Sequence, residues 1–184
     1  ASLTTYFTPE STPVTLAATG DKMILTWQFR PTGMTNTGTG NNDMRLAVVD
    51  SPSASRITSG APGSAVYAGY GIFGNMRTNS TLGNANSFRL MEWASPGGAN
   101  NFLSTSGAWG QVANGANTSF GGFNNGTNYT LVMTFIRTNT DLYVEATMSG
   151  VGLGTNGNNY MTVSYYDTTP SSFTFDTFGI RPST

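Results

Sequence analysis

The apolar runs constrain this chain most. They are short, nearly alternating, and divided by clusters of Gly, Asn, Pro and Ser. The clearest are VTLAAT (14–19), KMILTWQFR (22–30), MRLAVVD (44–50), VYAGYGIFGNM (66–76), SFRLMEWA (87–94), YTLVMTFIRT (129–138), DLYVEATMSG (141–150), YMTVSYYDT (160–168) and SFTFDTFGIR (172–181). No heptad and no 3.6-residue stripe of helical length competes with them. Period two in so many segments predicts an all-β chain. Each strand must bury a face, and antiparallel strands with uneven loops do so as two packed sheets. The expected fold is a two-sheet antiparallel jelly-roll sandwich, with residues 1–184 as one domain. A closed barrel is the competitor. GDK (20–22) and TNTD (138–141) are short enough for hairpin turns, and GTNGNN (154–159) carries an Asn-Gly pair that accepts positive φ. The stretch 94–128 is long for a loop and is expected to hold a further strand in NFLSTSGAWG.

Parity assigns faces. Met23, Leu25, Trp27 and Phe29 share one side of their strand. Leu142, Val144, Ala146 and Met148 oppose Tyr143, Glu145 and Thr147, and Met161, Val163 and Tyr165 oppose Tyr160, Thr162, Ser164 and Tyr166. These read as strands with a core face and a polar outer face. YTLVMTFIRT carries apolar residues on both sides and reads as a central strand covered on both. In SFRLMEW, a core placement of Phe88 and Leu90 puts Glu92 at the end of the core and leaves Arg89, Met91 and Trp93 outward.

Composition removes several chemistries. Only 9% of residues are charged while 12% are aromatic, so the chain has the means to fold and its surface polarity comes from hydroxyls and amides. A net charge of −1 with a single lysine, Lys22, excludes the basic clusters that nucleic-acid binding needs. Without His or Cys, the Ser-His-Asp triad, thiol nucleophiles and thiolate or imidazole metal sites are unavailable. No window of about 18 apolar residues suggests a membrane span. The start ASLTTYF fits the small-residue boundary left by signal cleavage, which leads to the expectation of an extracellular chain.

PVTLAATGDKMILTWQFR resembles the opening strand pair of concanavalin A-like jelly rolls of the laminin-G and lectin type. NNDMRLAVVDS, YAGYGIF, SFRLMEW and SFTFDTFGIR follow in a similar order, resembling domains of secreted bacterial proteins. The resemblance implies a fold shared by lectins, carbohydrate-binding modules, glycoside hydrolases and lyases. It also implies where catalytic motifs belong. The hydrolases' Glu-x-Asp-x-x-Glu strand has no counterpart here. The lyases' Gln-x-His strand is excluded by the absence of His, and RLMEW spaces Arg89 and Glu92 differently from their Arg-Thr/Ser-Glu-Leu strand. The resemblance therefore favours the non-catalytic members.

The first candidate site is a glycan platform built from Arg89, Glu92 and Trp93, because a sugar stacks its C–H face on an aromatic ring while flanking polar groups bond its hydroxyls. Tyr143, Glu145 and Arg45 would extend it if their strands lie nearby, and Trp109, read as a loop residue, is a further stacking candidate. Glu92 and Glu145 form the best carboxylate pair for glycoside hydrolysis, which needs two acids about 5–10 Å apart. Structural calcium is a further option, with Asp21, Asp43, Asp50, Asp167 and Asp176 near turns or strand ends. Four glycosylation sequons begin at Asn79, Asn117, Asn125 and Asn128, as chance produces in a chain rich in Asn and Thr. Ser2–Thr8 alternates and could add a strand to a neighbouring copy. The readings rank as a secreted carbohydrate-binding module, then a structural subunit of a fibre or coat, then a polysaccharide-cleaving enzyme.

Overall fold

A computed structural model describes residues 3–33, 44–52, 56–58, 60, 62, 64–76, 88–94, 100–103, 106–115, 122–153 and 158–182. Two antiparallel sheets pack as a sandwich. The larger sheet takes strands from both chain ends: β1 (Leu3–Tyr6), β4 (Met44–Asp50), β6 (Ala68–Gly74), β7 (Phe88–Trp93), β9 (Trp109–Asn114) and β14 (Thr177–Pro182), in the order β1-β14-β4-β6-β7-β9. The smaller is β12-β11-β10-β3, built from β3 (Lys22–Phe29), β10 (Tyr129–Thr138), β11 (Asp141–Ser149) and β12 (Tyr160–Asp167). Two short pairs complete it, β2 (Val14–Thr15) with β13 (Thr174–Phe175) and β5 (Ser64–Ala65) with β8 (Asn100–Asn101). No described helix is long and apolar enough to cross a membrane.

The core between the sheets follows the parities of the sequence. Leu46, Val48, Tyr70, Ile72, Phe88 and Leu90 meet Leu131, Met133, Phe135, Leu142, Val144, Ala146, Met148, Met161 and Val163. TNTD closes the β10–β11 hairpin with Asn139 at φ 67°, a left-handed turn position that Asn tolerates. GDK is not a hairpin turn. β2 pairs with β13 and β3 pairs with β10, so this turn carries the chain between sheets. β10 is central in its sheet but covered on one face only, since Thr130, Val132, Thr134 and Ile136 are half-exposed. The extra strand expected in 101–110 starts at Trp109 and runs to Asn114.

SFTFDTFGIR breaks into β13 and β14 at Asp176, where the chain changes partners. The carboxylate of Asp176 is buried and accepts hydrogen bonds from the Ser51 amide (3.0 Å), the Ser51 hydroxyl (3.1 Å) and the Thr177 hydroxyl (2.6 Å). The Arg56 guanidinium pairs with it at 2.6 Å, stacks over the Tyr6 ring at 4.8 Å and donates to the Thr8 carbonyl at 3.0 Å. A buried carboxylate is tolerated only when it is met this fully. The node ties β1, the segment after β4, and β14 together.

The larger sheet has a second hydrophobic layer on its outer face. Ala47, Val49, Phe73, Met91, Trp93 and Trp109 of that face are covered by Tyr67, Phe102, Leu103 and Ala108. Trp93 packs edge-on against Trp109 with centroids 5.2 Å apart, and Tyr67 bridges Trp93 (5.1 Å) and Phe102 (4.9 Å). Gly179 makes room for the cover, because a Cβ there would lie 2.2 Å from a Phe102 ring atom. Gly179→Ala is expected to destabilise the protein by about 1–3 kcal/mol through overpacking. Urea unfolding tests this, and an unchanged midpoint would mean that the Phe102 ring swings aside freely.

Candidate functional site

The sequence-predicted site residues fall in three separate places. Arg45, Arg89, Trp93 and Trp109 lie on the outer face of the larger sheet, Tyr143 and Glu145 on the outer face of the smaller sheet, and Glu92 on the side of β7 that faces the sandwich interior. Arg45 thus shares the face of Arg89 and Trp93 that it was expected to extend, whereas Tyr143 and Glu145 do not. Trp93 and Trp109 are each only 5% exposed. Parity turned Trp93 away from the inter-sheet core, as the sequence indicates, but a second layer covers it there. Trp109 is the first residue of β9 and not a loop tip. Neither ring has an open face for stacking a sugar.

The open surface is the outer face of the smaller sheet. Register aligns its side chains in four rows across β3, β10, β11 and β12. These are Lys22–Ile136–Tyr143–Tyr166, Ile24–Thr134–Glu145–Ser164, Thr26–Val132–Thr147–Thr162 and Gln28–Thr130–Ser149–Tyr160. None of these residues is buried. Most of them end in a hydroxyl, so the surface can both donate and accept hydrogen bonds without strong charge. It is also internally ordered. The Tyr143 hydroxyl donates to Glu145 at 2.9 Å, Thr138 donates to the Tyr166 hydroxyl at 2.8 Å, and the Thr147 and Thr162 hydroxyls lie 3.1 Å apart. A hydrogen bond with Ser164 favours the Tyr143 phenolate, but the bond to Glu145, burial and the Glu145 charge outweigh it and raise the phenol pKa. Tyr143 thus stays a neutral donor that holds Glu145 in place.

Glu92 and Glu145 do not form a pair, because they lie on different faces of different sheets. The partner of Glu92 is Asp167, from the end of β12. Asp167 is buried and accepts from the Tyr70 hydroxyl and from the Thr169 amide at 2.9 Å. Burial, the Asp167 charge and a hydrogen bond to Asp167 push Glu92 up to about 7, against opposing hydrogen bonds from Ser171. Tyr70 is raised too, by burial and by its bond to Asp167. Tyr165 lies near enough to both acids for its own pKa to rise, first through burial. Tyr70 was not singled out as a site residue and Asp167 only as a calcium-ligand candidate, yet parity does put Asp167 on the core face with Met161, Val163 and Tyr165. A core-facing acid is the signal that could have found it.

Asp21 and Asp50 make local contacts. Asp21 accepts from the Ala18 amide within its turn at 2.8 Å, and Asp50 sits near Asp176 and Arg56, while Asp43 lies outside the described residues. No group of three or more His, Cys, Asp or Glu that could hold a metal occurs among the described residues. Of the sequons, Asn79 and Asn117 lie outside the described residues. Ser2 also lies outside them, while Leu3–Tyr6 pairs with β14 of its own chain. Where the sheets end in edge strands β1 and β3, an apolar groove of about 380 Å³ opens between them, lined by residues including Phe7, Met23, Leu25, Trp27 and Phe178.

The chain matches no protein-family model and no curated protein. What it does must be argued from its surfaces.

The Glu92–Asp167 contact yields a pH prediction. A Glu whose pKa rises from 4.5 unfolded to about 7 folded binds an extra proton in the folded state between those values. Its contribution to stability is fully present below about 4.5, falls as pH rises, and is gone above about 7. Allowing for solvent screening of a half-exposed group, the change is on the order of 1–2 kcal/mol. Melting temperatures between pH 5 and pH 8 should fall in the wild type and stay flatter in Glu92→Gln. Parallel curves would refute the assignment.

Proposed function

We propose that the chain is a secreted, non-catalytic carbohydrate-binding module, and that its binding surface is the open outer face of the smaller sheet. The observation that carries this reading is the four-by-four array of uncovered side chains, in which Thr, Ser, Tyr, Gln, Lys and Glu outnumber the apolar Ile24, Val132 and Ile136. Polyhydroxyl ligands are recognised by such mixed donors and acceptors, with aromatic faces for their C–H surfaces. Tyr143 and Tyr166 are cross-strand partners in one row, Tyr160 stands in another, and Tyr160 and Tyr166 are about half exposed. The antiparallel sandwich is consistent with the concanavalin A-like resemblance, whose catalytic motifs this chain lacks.

A glycan array with wild type and the double variant Tyr143→Ala/Tyr166→Ala tests this reading. The variant should lose at least about ten-fold in affinity, the equivalent of about 1.4 kcal/mol, with its melting temperature nearly unchanged. A wild type that binds no glycan would sink the proposal. Trp93→Ala is the wrong probe, because removing a buried Trp should cost about 3–5 kcal/mol of stability whatever the ligand.

The groove between β1 and β3 favours a second reading, a structural subunit that accepts a strand from a neighbouring copy. An edge strand with free backbone groups beside an apolar trough is what strand addition uses. Ile24 lines the groove and is 55% exposed, so Ile24→Lys places a charge there with little effect on the fold. Oligomers of the wild type, measured by light scattering, should become monomers in Ile24→Lys. A wild type that is monomeric at every concentration rules this reading out.

A further inference from the structure

The outer face of the smaller sheet runs at one end into a polar pocket. The pocket has a volume of about 320 Å³ and is lined by Gln28, Phe29, Arg30, Asn128, Tyr129 and Thr130. Arg30 lies just past the end of β3, two residues beyond Gln28, and so follows the outer face. Its side chain is exposed yet held in place. The Arg30 Nε donates to the Gly126 carbonyl at 2.7 Å, and the Gly126 amide donates to the Pro31 carbonyl at 2.8 Å. Gly126 adopts a left-handed φ of 76°, which lets the chain turn back onto Arg30, and a Cβ there would lie 3.5 Å from Nη2. Tyr129 anchors the same loop. Its hydroxyl accepts from the Asn124 amide at 2.7 Å and donates to the Val151 carbonyl at 3.0 Å. The Tyr129 ring is buried and stacks on Phe29 with centroids 5.6 Å apart, so the aromatic part of the lining is fixed as well.

The pocket combines one charge with neutral hydrogen-bonding groups. Gly126 engages the Nε edge of Arg30, which leaves the Nη1–Nη2 edge, a fork that matches the two oxygens of a carboxylate. Gln28 and Asn128 are exposed amides that both donate and accept, and Thr130 adds a half-buried hydroxyl. A site for a bare inorganic anion calls for donors alone. Acceptors beside a fork fit hydroxyls flanking a carboxylate, and a hexuronic acid carries both on one sugar. The charge distribution points the same way. Lys22, Asp21 and Asp141 lie at the other end of the face, and Glu145 stands two rows and two strands from Gln28, on the order of 15 Å away. That exceeds a Debye length at physiological salt. Among the described residues no carboxylate pairs with Arg30. The row Gln28–Thr130–Ser149–Tyr160 leads from the pocket across the sheet, and about half-exposed Tyr160 offers a ring for a neighbouring sugar roughly 14 Å from Gln28.

We propose that this pocket binds the carboxylate of a hexuronic acid, so that the glycan recognised by the smaller sheet is an acidic polysaccharide and Arg30 is the residue that selects the charge. The inference rests on the carbohydrate reading and adds the class of sugar to it. Arg30 takes the carboxylate, while Gln28, Asn128 and Thr130 take hydroxyls of the same sugar.

The test is isothermal titration of the purified protein with galacturonate, glucuronate and mannuronate oligosaccharides, each beside its carboxyl-reduced, neutral counterpart. Wild type should bind at least one hexuronate about ten-fold or more tighter than the reduced form. Arg30→Gln should bind both forms equally, at the affinity of the neutral one, with its melting temperature nearly unchanged because the side chain is exposed. Lys22→Gln, which removes a charge at the far end of the same face, should keep the preference. Equal affinity of the wild type for acidic and neutral forms, a preference that survives Arg30→Gln, or one lost just as fully in Lys22→Gln would overturn this inference and leave the carbohydrate reading standing. A wild type that binds neutral glycans but no hexuronate does the same, whereas one that binds no glycan of either kind overturns both.

Discussion

The edge-to-face contact of Trp93 with Trp109 sits at the centre of a second hydrophobic layer, and the division of labour in this protein follows from it. A β-sandwich needs only one buried face per sheet. Here Tyr67, Phe102, Leu103 and Ala108 come down on the outer face of the larger sheet, so that sheet is buried on both sides while the smaller sheet keeps a solvated face. Gly179 exists where Phe102 presses on the backbone. The carbonyl that holds two arginines belongs to Leu103, a residue of the same cover. Covering one sheet therefore both removes the tryptophans from the ligand-accessible surface and holds the Arg45 and Arg181 guanidiniums on the Leu103 carbonyl.

The two sheets then differ in what they can meet. The smaller presents hydroxyls, amides and phenols with little net charge, suited to polyols. The larger carries an aromatic and aliphatic cover, with the Arg45 guanidinium 5.5 Å from the Phe73 ring centroid. Between them, Glu92 on the interior side of the larger sheet shares a hydrogen bond with Asp167 of the smaller sheet, and its burial there raises its pKa to about 7.

The sequence made legible whatever depended on local alternation. The parities of β3, β11 and β12, the hairpin at Asn139–Thr140, and the core positions of Phe88 and Leu90 all follow from residues two apart on one strand. What failed was non-local. Trp93 and Met91 point away from the inter-sheet core as parity requires, but no local pattern says that residues 102–108 will lie over them. Glu92 was matched with Glu145 because both sit mid-strand. Sheet order, fixed by long-range pairing, separates them and supplies Asp167 instead. The same limit put Tyr143 and Glu145 beside Arg89 and Trp93 in expectation, while sheet order places them on the other sheet. GDK looked like a hairpin because a short turn does not reveal that its flanking strands pair elsewhere.

The Asp176 node has a mechanical consequence. β1 and β14 are antiparallel neighbours, with Leu3 opposite Ile180 and Tyr6 opposite Thr177. Tension applied at Leu3 and Pro182 therefore loads the pair from one end and peels its hydrogen bonds one after another, not all at once in shear. The peel runs from Leu3 toward Tyr6, where it meets the Arg56 guanidinium stacked on that ring and anchored on Asp176. A buried ion pair at the end of an unzipping path acts as a brake, so the edge strand can be stripped at low force while the rest of the sandwich stays closed.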